Sequence, residues 1–168
     1  ELIDIVPEFN LYEEYWKIYT KSTSNVPQYF GTEGTAERTI IGEGTEIYGR
    51  VYNSVIGCDV TIGEGAEVRD SILMNGTRVG AGSRLYKVIA AENVTIGNGT
   101  VLGEGRDIPN ETRSDIYRDG LVTLGEGTEI PAGVRIGKNV MISGVTTADD
   151  YPDGMLESGR TLVKEGDL

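Results

Sequence analysis

The sequence predicts an all-β fold, a parallel β-helix of about six coils, and three observations carry that expectation. An aliphatic residue, often followed by Gly, recurs every six residues, as in Ile56-Gly57, Ile62-Gly63 and Val68. Equivalent aliphatics then recur every 17 residues: Ile56, Leu73 and Ala90; Ile62, Val79 and Ile96; Val51, Val68 and Leu85. Glycine is also frequent, at 24 of 168 residues, against about 7% in average proteins. Repeats of this kind mark solenoids, in which each unit buries its apolar side only by stacking on its neighbours.

Two hexads and a pentad close one triangular coil of 17 residues. The position four after each aliphatic is small or branched: Val60, Ala66, Thr77, Ser83, Val94 and Thr100. These residues are expected to point inward and fill a narrow prism. Each side of the triangle ends in a sharp turn, and Gly adopts the positive φ of such turns at little steric cost. Asn75, Asn93, Asn98 and Asn139 suit the same turns, because Asn tolerates that region. A helix is the rival for a six-residue spacing. It fails because helical stripes recur at three and four, and paired glycines in every turn would be costly.

The prism is predicted over 35–143, with an insertion at 103–120 where the hexads stop. Before it, residues 1–34 form an aromatic-rich linker or interface segment bearing Phe9, Tyr12, Trp16 and Tyr19. Such a segment needs an apolar surface, either the outside of its own β-helix or a neighbouring domain or subunit. The chain opens Glu1-Leu2-Ile3 without Met or export signal, which predicts a piece of a longer protein. After it, residues 144–168 are polar and then read as a short hairpin around Ser158-Gly159, capping the open end of the prism. The insertion carries Arg106, Arg113 and Arg118, a local basic excess. It is either a solvated loop or an anion site.

Composition excludes several functions. The net charge of −12 argues against a nucleic-acid or anionic-membrane binder, which needs a basic face. With no His, imidazole cannot act as base or metal ligand. Cys58 is the single cysteine, so no internal disulfide or Cys cluster for zinc forms, and a reducing, cytoplasmic setting fits. No apolar run reaches the roughly 18 residues of a membrane span. The sequons at Asn75, Asn93, Asn98 and Asn110 read as turn residues. The Gly-Glu-Gly tripeptides lack the Lys-Ser/Thr and the helix start of a phosphate loop. No metal site and no catalytic residue is assigned in this chain.

The repeats resemble those of known hexapeptide-repeat proteins, which implies left-handed coiling, an exception to the usual right-handed crossover. Acyltransferases of that class mostly use a His base, and its zinc hydratases bind metal through three His. A chain without His runs neither in its usual form. More specific are the flanks. Asn10-Leu11-Tyr12…Trp16-Lys17-Ile18-Tyr19-Thr20 with Val26-Pro27-Gln28-Tyr29 resembles the segment after the catalytic domain of bacterial ADP-glucose pyrophosphorylases. So do Gly49-Arg50-Val51-Tyr52-Asn53-Ser54 and Arg69-Asp70-Ser71-Ile72-Leu73-Met74. Asp119-Gly120-Leu121-Val122-Thr123-Leu124, Ile130-Pro131-Ala132-Gly133 and Leu156-Glu157-Ser158-Gly159 look like that family's last coil and tail.

The resemblance implies a parent enzyme that joins ATP and glucose 1-phosphate into ADP-glucose and pyrophosphate with Mg²⁺, for glycogen synthesis. Mg²⁺ and ATP would belong to an N-terminal catalytic domain, so this chain alone is expected to be inert and to hold no cofactor. It implies a homo-oligomer (a tetramer in the parent) contacting its own catalytic domain through Phe9, Tyr12, Trp16 and Tyr19. It also implies an anionic sugar-phosphate effector near Arg118, where plant relatives carry a basic residue, with Arg113 beside it. Glu126 departs from relatives that carry Lys there. The β-helix of another sugar-nucleotide pyrophosphorylase, or an acyltransferase, remains the alternative.

Overall fold

The structure is a computed structural model and describes Tyr15 and residues 25–164. The expected prism is present, built from two- to four-residue strands joined by turns. Its first coil is β1 (Tyr29–Phe30), β2 (Thr35–Glu37) and β3 (Ile40–Ile41). The second is β4 (Glu46–Ile47), β5 (Arg50–Tyr52) and β6 (Val55–Ile56), and the third β7 (Thr61–Ile62), β8 (Glu67–Arg69) and β9 (Ile72–Leu73). The fourth is β10 (Arg78–Val79), β11 (Arg84–Tyr86) and β12 (Val88–Ala90). The fifth is β13 (Thr95–Ile96), β14 (Val101–Leu102) and, beyond the insertion, β15 (Val122–Leu124). The sixth is β16 (Glu129–Ile130), β17 (Arg135–Ile136) and β18 (Val140–Ser143), and β19 (Met155–Leu156) and β20 (Thr161–Val163) complete two sides of a last one.

Every third strand pairs in parallel with the one a coil away. The first face thus has six strands from β1 to β16, and the second (β2 to β19) and third (β3 to β20) have seven each. The 17-residue columns are the observed register, with Ile62 opposite Val79, Val68 opposite Leu85 and Ile56 opposite Leu73. One coil is shorter, with Ile47 opposite Ile62. The fifth is longer: Ile96 pairs Ile130, two 17-residue periods on. The insertion therefore leaves the prism for one period and returns the chain in phase. Val60, Ala66, Thr77, Ser83, Val94 and Thr100 are all fully buried, as expected.

Two expectations need correction. The tail is not a hairpin. β19 and β20 do not pair with each other; β19 extends the second face from β17 and β20 extends the third from β18, both parallel. Open edges of two sheets offer unpaired N–H and C=O groups to any strand of the right spacing, and Leu156 and Leu162, six apart, have it. At the other end Tyr29–Phe30 already pairs with Glu46–Ile47, so the coils begin inside the segment read as linker and end inside the tail.

The Asn residues divide. Asn93 and Asn139 take positive φ, 59° and 55°. Asn75 and Asn98 do not. Their Oδ1 atoms instead accept from the backbone N–H of Cys58 and of Ala81 in the preceding coil, both at 2.9 Å.

Buried Tyr151 donates to or accepts from Thr146 Oγ1 at 2.8 Å beneath the last full coil. Burial pushes its phenol pKa up. Lys164 at the end of β20 bonds Asp150. That hydrogen bond, with a second from the Thr147 backbone, holds the Asp150 carboxyl below its ordinary range. A lowered folded pKa contributes stability that is present above the unfolded value of about 3.9 and is lost as pH falls through the folded one. Hydrogen exchange at Thr161–Val163 is therefore expected to quicken as pH drops below about 4, corrected for the intrinsic rate, and Asp150→Asn is expected to abolish that dependence.

Candidate functional site

The corner between the second and third faces differs from the other two. Its turn is tight and mostly lacks Gly: Arg38, Asn53, Asp70, Lys87 and Asn139 all take left-handed φ there, between 49° and 55°. Non-Gly residues rarely hold that conformation, and stacked neighbours help hold it here. Asn53 Nδ2, for example, donates to Asp70. From this corner the insertion leaves at Gly103 and returns at Val122, then lies over the sixth and last coils.

Two asparagines fasten it. Asn139 Oδ1 accepts from the buried Gly120 N–H at 2.8 Å, and its Nδ2 donates to Asp107 at 2.6 Å and to the Ile108 carbonyl at 2.8 Å. Asn110, itself buried, donates through Nδ2 to the Asn139 carbonyl at 2.9 Å and to Thr161 Oγ1 at 3.2 Å. Its Oδ1 accepts from the backbone N–H groups of Thr112 and Arg113, forming an Asx turn. Glu111 adds bonds from the Thr161 N–H at 2.9 Å and from Arg160 at 2.8 Å. The insertion is thus a clasped loop whose tip, from Thr112 to Asp119, stands in solvent.

The two arginines singled out for effector binding sit on that tip, each against its own neighbour. Arg113 holds Asp115 with two bonds of 3.1 Å. This raises the guanidinium pKa and lowers that of the carboxyl, which Arg118 lowers further. Arg118 pairs with Asp119 at 3.3 Å, both side chains about two-thirds or more exposed. No direct bond joins Arg113 and Arg118. Exposed pairs of this kind contribute little and exchange readily, so the guanidinium groups are available to a stronger anion. Phe9, Tyr12, Trp16 and Tyr19 lie outside the described residues.

Two cations were not singled out by sequence reading. The stems of Lys87 and Lys138 both lean over Gly120: a Cβ there would stand 3.8 Å from Lys87 Cδ and 3.6 Å from Lys138 Cδ. Lys87 Nζ donates to the Asp119 carbonyl at 3.1 Å. Two lysines from different coils thus meet beside the Arg118-Asp119-Gly120 turn. Their 51-residue separation hides this in the sequence, but Lys87 falls in the same corner column as Asp70 and Asn139, and Lys138 directly precedes Asn139. Chemically the corner can hold an anion by the charge of these side chains. Among the described residues no group of three or more Asp, Glu or Cys side chains stands close enough to hold a metal ion. No helix among them is long and apolar enough to cross a membrane.

Comparison with known proteins bears on these parts together. Residues 22–124 match the family described as GlmU-like, C-terminal hexapeptide. The chain is 53% identical to the glucose-1-phosphate adenylyltransferase of Lachnospira eligens over 99% of this chain and 40% of that protein. It is 40% identical to that of Acetivibrio thermocellus over 99% of this chain and 39% of that protein. The chain therefore spans about two-fifths of the length of these relatives, corresponding to their C-terminal part. Among solved structures, a mutant of perosamine N-acetyltransferase from Caulobacter crescentus aligns over 85% of this chain and 58% of that one, with a TM-score of 0.34 and 16% identity.

Proposed function

The chain belongs to the GlmU-like C-terminal hexapeptide family, and from that premise we propose that it is the regulatory and assembly domain of a glucose-1-phosphate adenylyltransferase. The parent enzyme joins ATP and glucose 1-phosphate into ADP-glucose and pyrophosphate. One observation carries the reading. The likeness to such enzymes runs over 99% of the chain, so it takes in the clasped insertion and the tail as well as the repeats that many proteins share. In this reading ATP, Mg²⁺ and the transfer step belong to an N-terminal catalytic domain, where metal and cationic side chains would neutralise the phosphates. The β-helix is a rigid strut that supports oligomer assembly, a tetramer in the parent.

The corner at Gly120 is where an anionic sugar-phosphate effector would bind. Arg118 and Arg113 on the loop tip, with Lys87 and Lys138 on the prism, supply the charge. The isolated chain is expected to form no ADP-glucose from ATP, Mg²⁺ and glucose 1-phosphate, whereas the polypeptide carrying the catalytic domain is expected to form it. Synthesis by the isolated chain would overturn the assignment. Within the full enzyme, Arg118→Ala together with Lys138→Ala is expected to shift the half-saturating concentration of fructose 1,6-bisphosphate upward about tenfold. That corresponds to about 1.4 kcal/mol, and the rate without effector should stay unchanged. An unchanged effector response would remove the corner from the reading and leave the family assignment standing.

A further inference from the structure

The three faces of the prism differ on the outside. Following the first outward position of each strand, the third face reads Ile40, Val55, Ile72, Ile89, Thr123 and Met141. The first mixes charge with Thr, as Glu46, Thr61, Arg78 and Thr95. The second face carries two polar rows. One reads Arg50, Glu67, Arg84, Val101 and Arg135, and beside it runs Tyr52, Arg69 and Tyr86.

A trough follows these rows. Three clefts of about 300, 260 and 720 Å³ open along the face in succession. The first two share Glu67 and Arg69, and the second and third share Glu104. The second face has seven strands, so at about 4.8 Å per strand the trough is about 29 Å long. That length suits a chain of linked units and exceeds any single sugar or nucleotide.

Charge narrows the chemistry of that chain. Five arginines line the clefts, Arg50, Arg69, Arg84, Arg106 and Arg135, together with five carboxylates, Glu37, Glu67, Glu104, Asp153 and Glu157. The trough is therefore neutral in a protein of net charge −12. An extended polyanion or polycation would meet like charge along its whole length. Two of the carboxylates each hold two guanidinium groups. Glu67 bonds Arg69 and pairs with Arg50 at 3.4 Å. Glu104 pairs with Arg84 at 3.6 Å and with Arg135 at 3.7 Å. Donors and acceptors are thus set side by side, which is the pattern that neighbouring hydroxyl groups satisfy.

Two rings complete the surface. Tyr52 and Tyr86 are 39% and 38% exposed. They flank Arg69 in register, two strands and so about 10 Å apart, which is wider than one sugar ring. The Arg69 guanidinium stands 5.9 Å from the centroid of the Tyr52 ring, and Lys87 Nζ stands 5.9 Å from that of Tyr86. An exposed ring among polar side chains offers an apolar surface to the C–H side of a pyranose while its hydroxyls find partners around it.

We propose that the second face binds a linear neutral oligosaccharide along the prism axis, with Tyr52 and Tyr86 stacking on sugar rings and the Arg and Glu side chains bonding the hydroxyls. The site borders the Gly120 corner at Lys87 and does not depend on what the parent enzyme does. Titrated into the 168-residue chain, maltoheptaose (α-linked) or cellohexaose (β-linked) is expected to shift the backbone amide resonances of β5, β8 and β11 and to leave those of β6, β9 and β12 in place. A response to either sugar supports the site, and the pair tells which linkage it takes. Free glucose is expected to bind far more weakly than the chain. Tyr52→Ala and Tyr86→Ala are each expected to raise Kd about fivefold, while Arg78→Ala, on the first face, should change nothing. Glu104→Gln tests the charge balance even if a tyrosine variant fails to fold. It releases Arg84 and Arg135, and is expected to weaken sugar binding and to let tripolyphosphate shift the amides of β14 and β17. No response to either sugar up to about 10 mM, or glucose binding as tightly as the chain, would overturn the proposal. So would an unchanged Kd in the folded tyrosine variants or in Glu104→Gln, or tripolyphosphate occupying the second face of the unmodified chain.

Discussion

Asn139→Ala is expected to destabilise the protein by about 3 kcal/mol in urea denaturation, an unusually large effect for a polar residue. Two independent costs combine. The residue sits at φ 55°, a conformation that costs a residue with a Cβ about 1 kcal/mol and that Asn relieves by local hydrogen bonding. Its side chain also satisfies the buried Gly120 N–H and the Ile108 carbonyl, and a buried group left without a partner costs about 1–3 kcal/mol. Asn139→Gly separates the two, since it restores the backbone freedom and still loses the bonds. It is expected to recover about 1 kcal/mol of the loss. Both variants should expose the insertion to limited proteolysis near Arg106, because Asp107 and Ile108 lose their anchor. Resistance to proteolysis with full stability would mean that Asn110 and Glu111 hold the insertion alone.

The prism was legible because its repeat is a mechanical necessity: each inward residue must sit above its equivalent, and the 17-residue spacing states that in one dimension. The outer row of the third face was equally legible in retrospect, as the doublets Ile40-Ile41, Val55-Ile56, Ile72-Leu73 and Ile89-Ala90, against Glu46-Ile47 or Arg50-Val51 elsewhere. The tail misled because two short strands around Ser158-Gly159 look alike whether the turn reverses the chain or rounds a corner. The six-residue step from Leu156 to Leu162 pointed to the corner. The clasp was not legible at all. Asn110 reaches residues 29 and 51 positions away, and nothing local distinguishes it from any loop Asn. Likewise Arg113 and Arg118 could be noted as a basic excess, but their pairing with Asp115 and Asp119 and the approach of Lys87 and Lys138 belong to the folded corner.

Gly97 and Gly99, two residues apart in one hexad, are expected to respond to Ala to very different extents. Gly99 has φ 66° and open space where a Cβ would be. Ala there pays only for the left-handed backbone, about 1 kcal/mol. Gly97 has no positive φ, so conformation alone predicts tolerance, and Gly→Ala at such a site usually stabilises by reducing the freedom of the unfolded chain. Yet its Cβ would stand 2.4 Å from the Ala132 nitrogen and 2.6 Å from Ala132 Cα in the next coil. Both are backbone atoms, which no rotamer change can move aside. The fifth and sixth coils would have to separate, straining the bonds from Gly97 N–H to the Ile130 carbonyl and from Thr95 N–H to the Thr128 carbonyl, each 2.8 Å. Overpacking with no soft neighbour costs about 3 kcal/mol or more, so Gly97→Ala should be the more damaging of the two by at least about 2 kcal/mol. In a solenoid, stability is a sum of coils and of the interfaces between them. The loss should therefore appear as faster hydrogen exchange in the coils C-terminal to the strained interface, with Ile62 and Val79 still protected. Equal destabilisation by the two substitutions would show that turn conformation, and not the closeness of the coils, fixes the glycine that follows the aliphatic residue of the hexad.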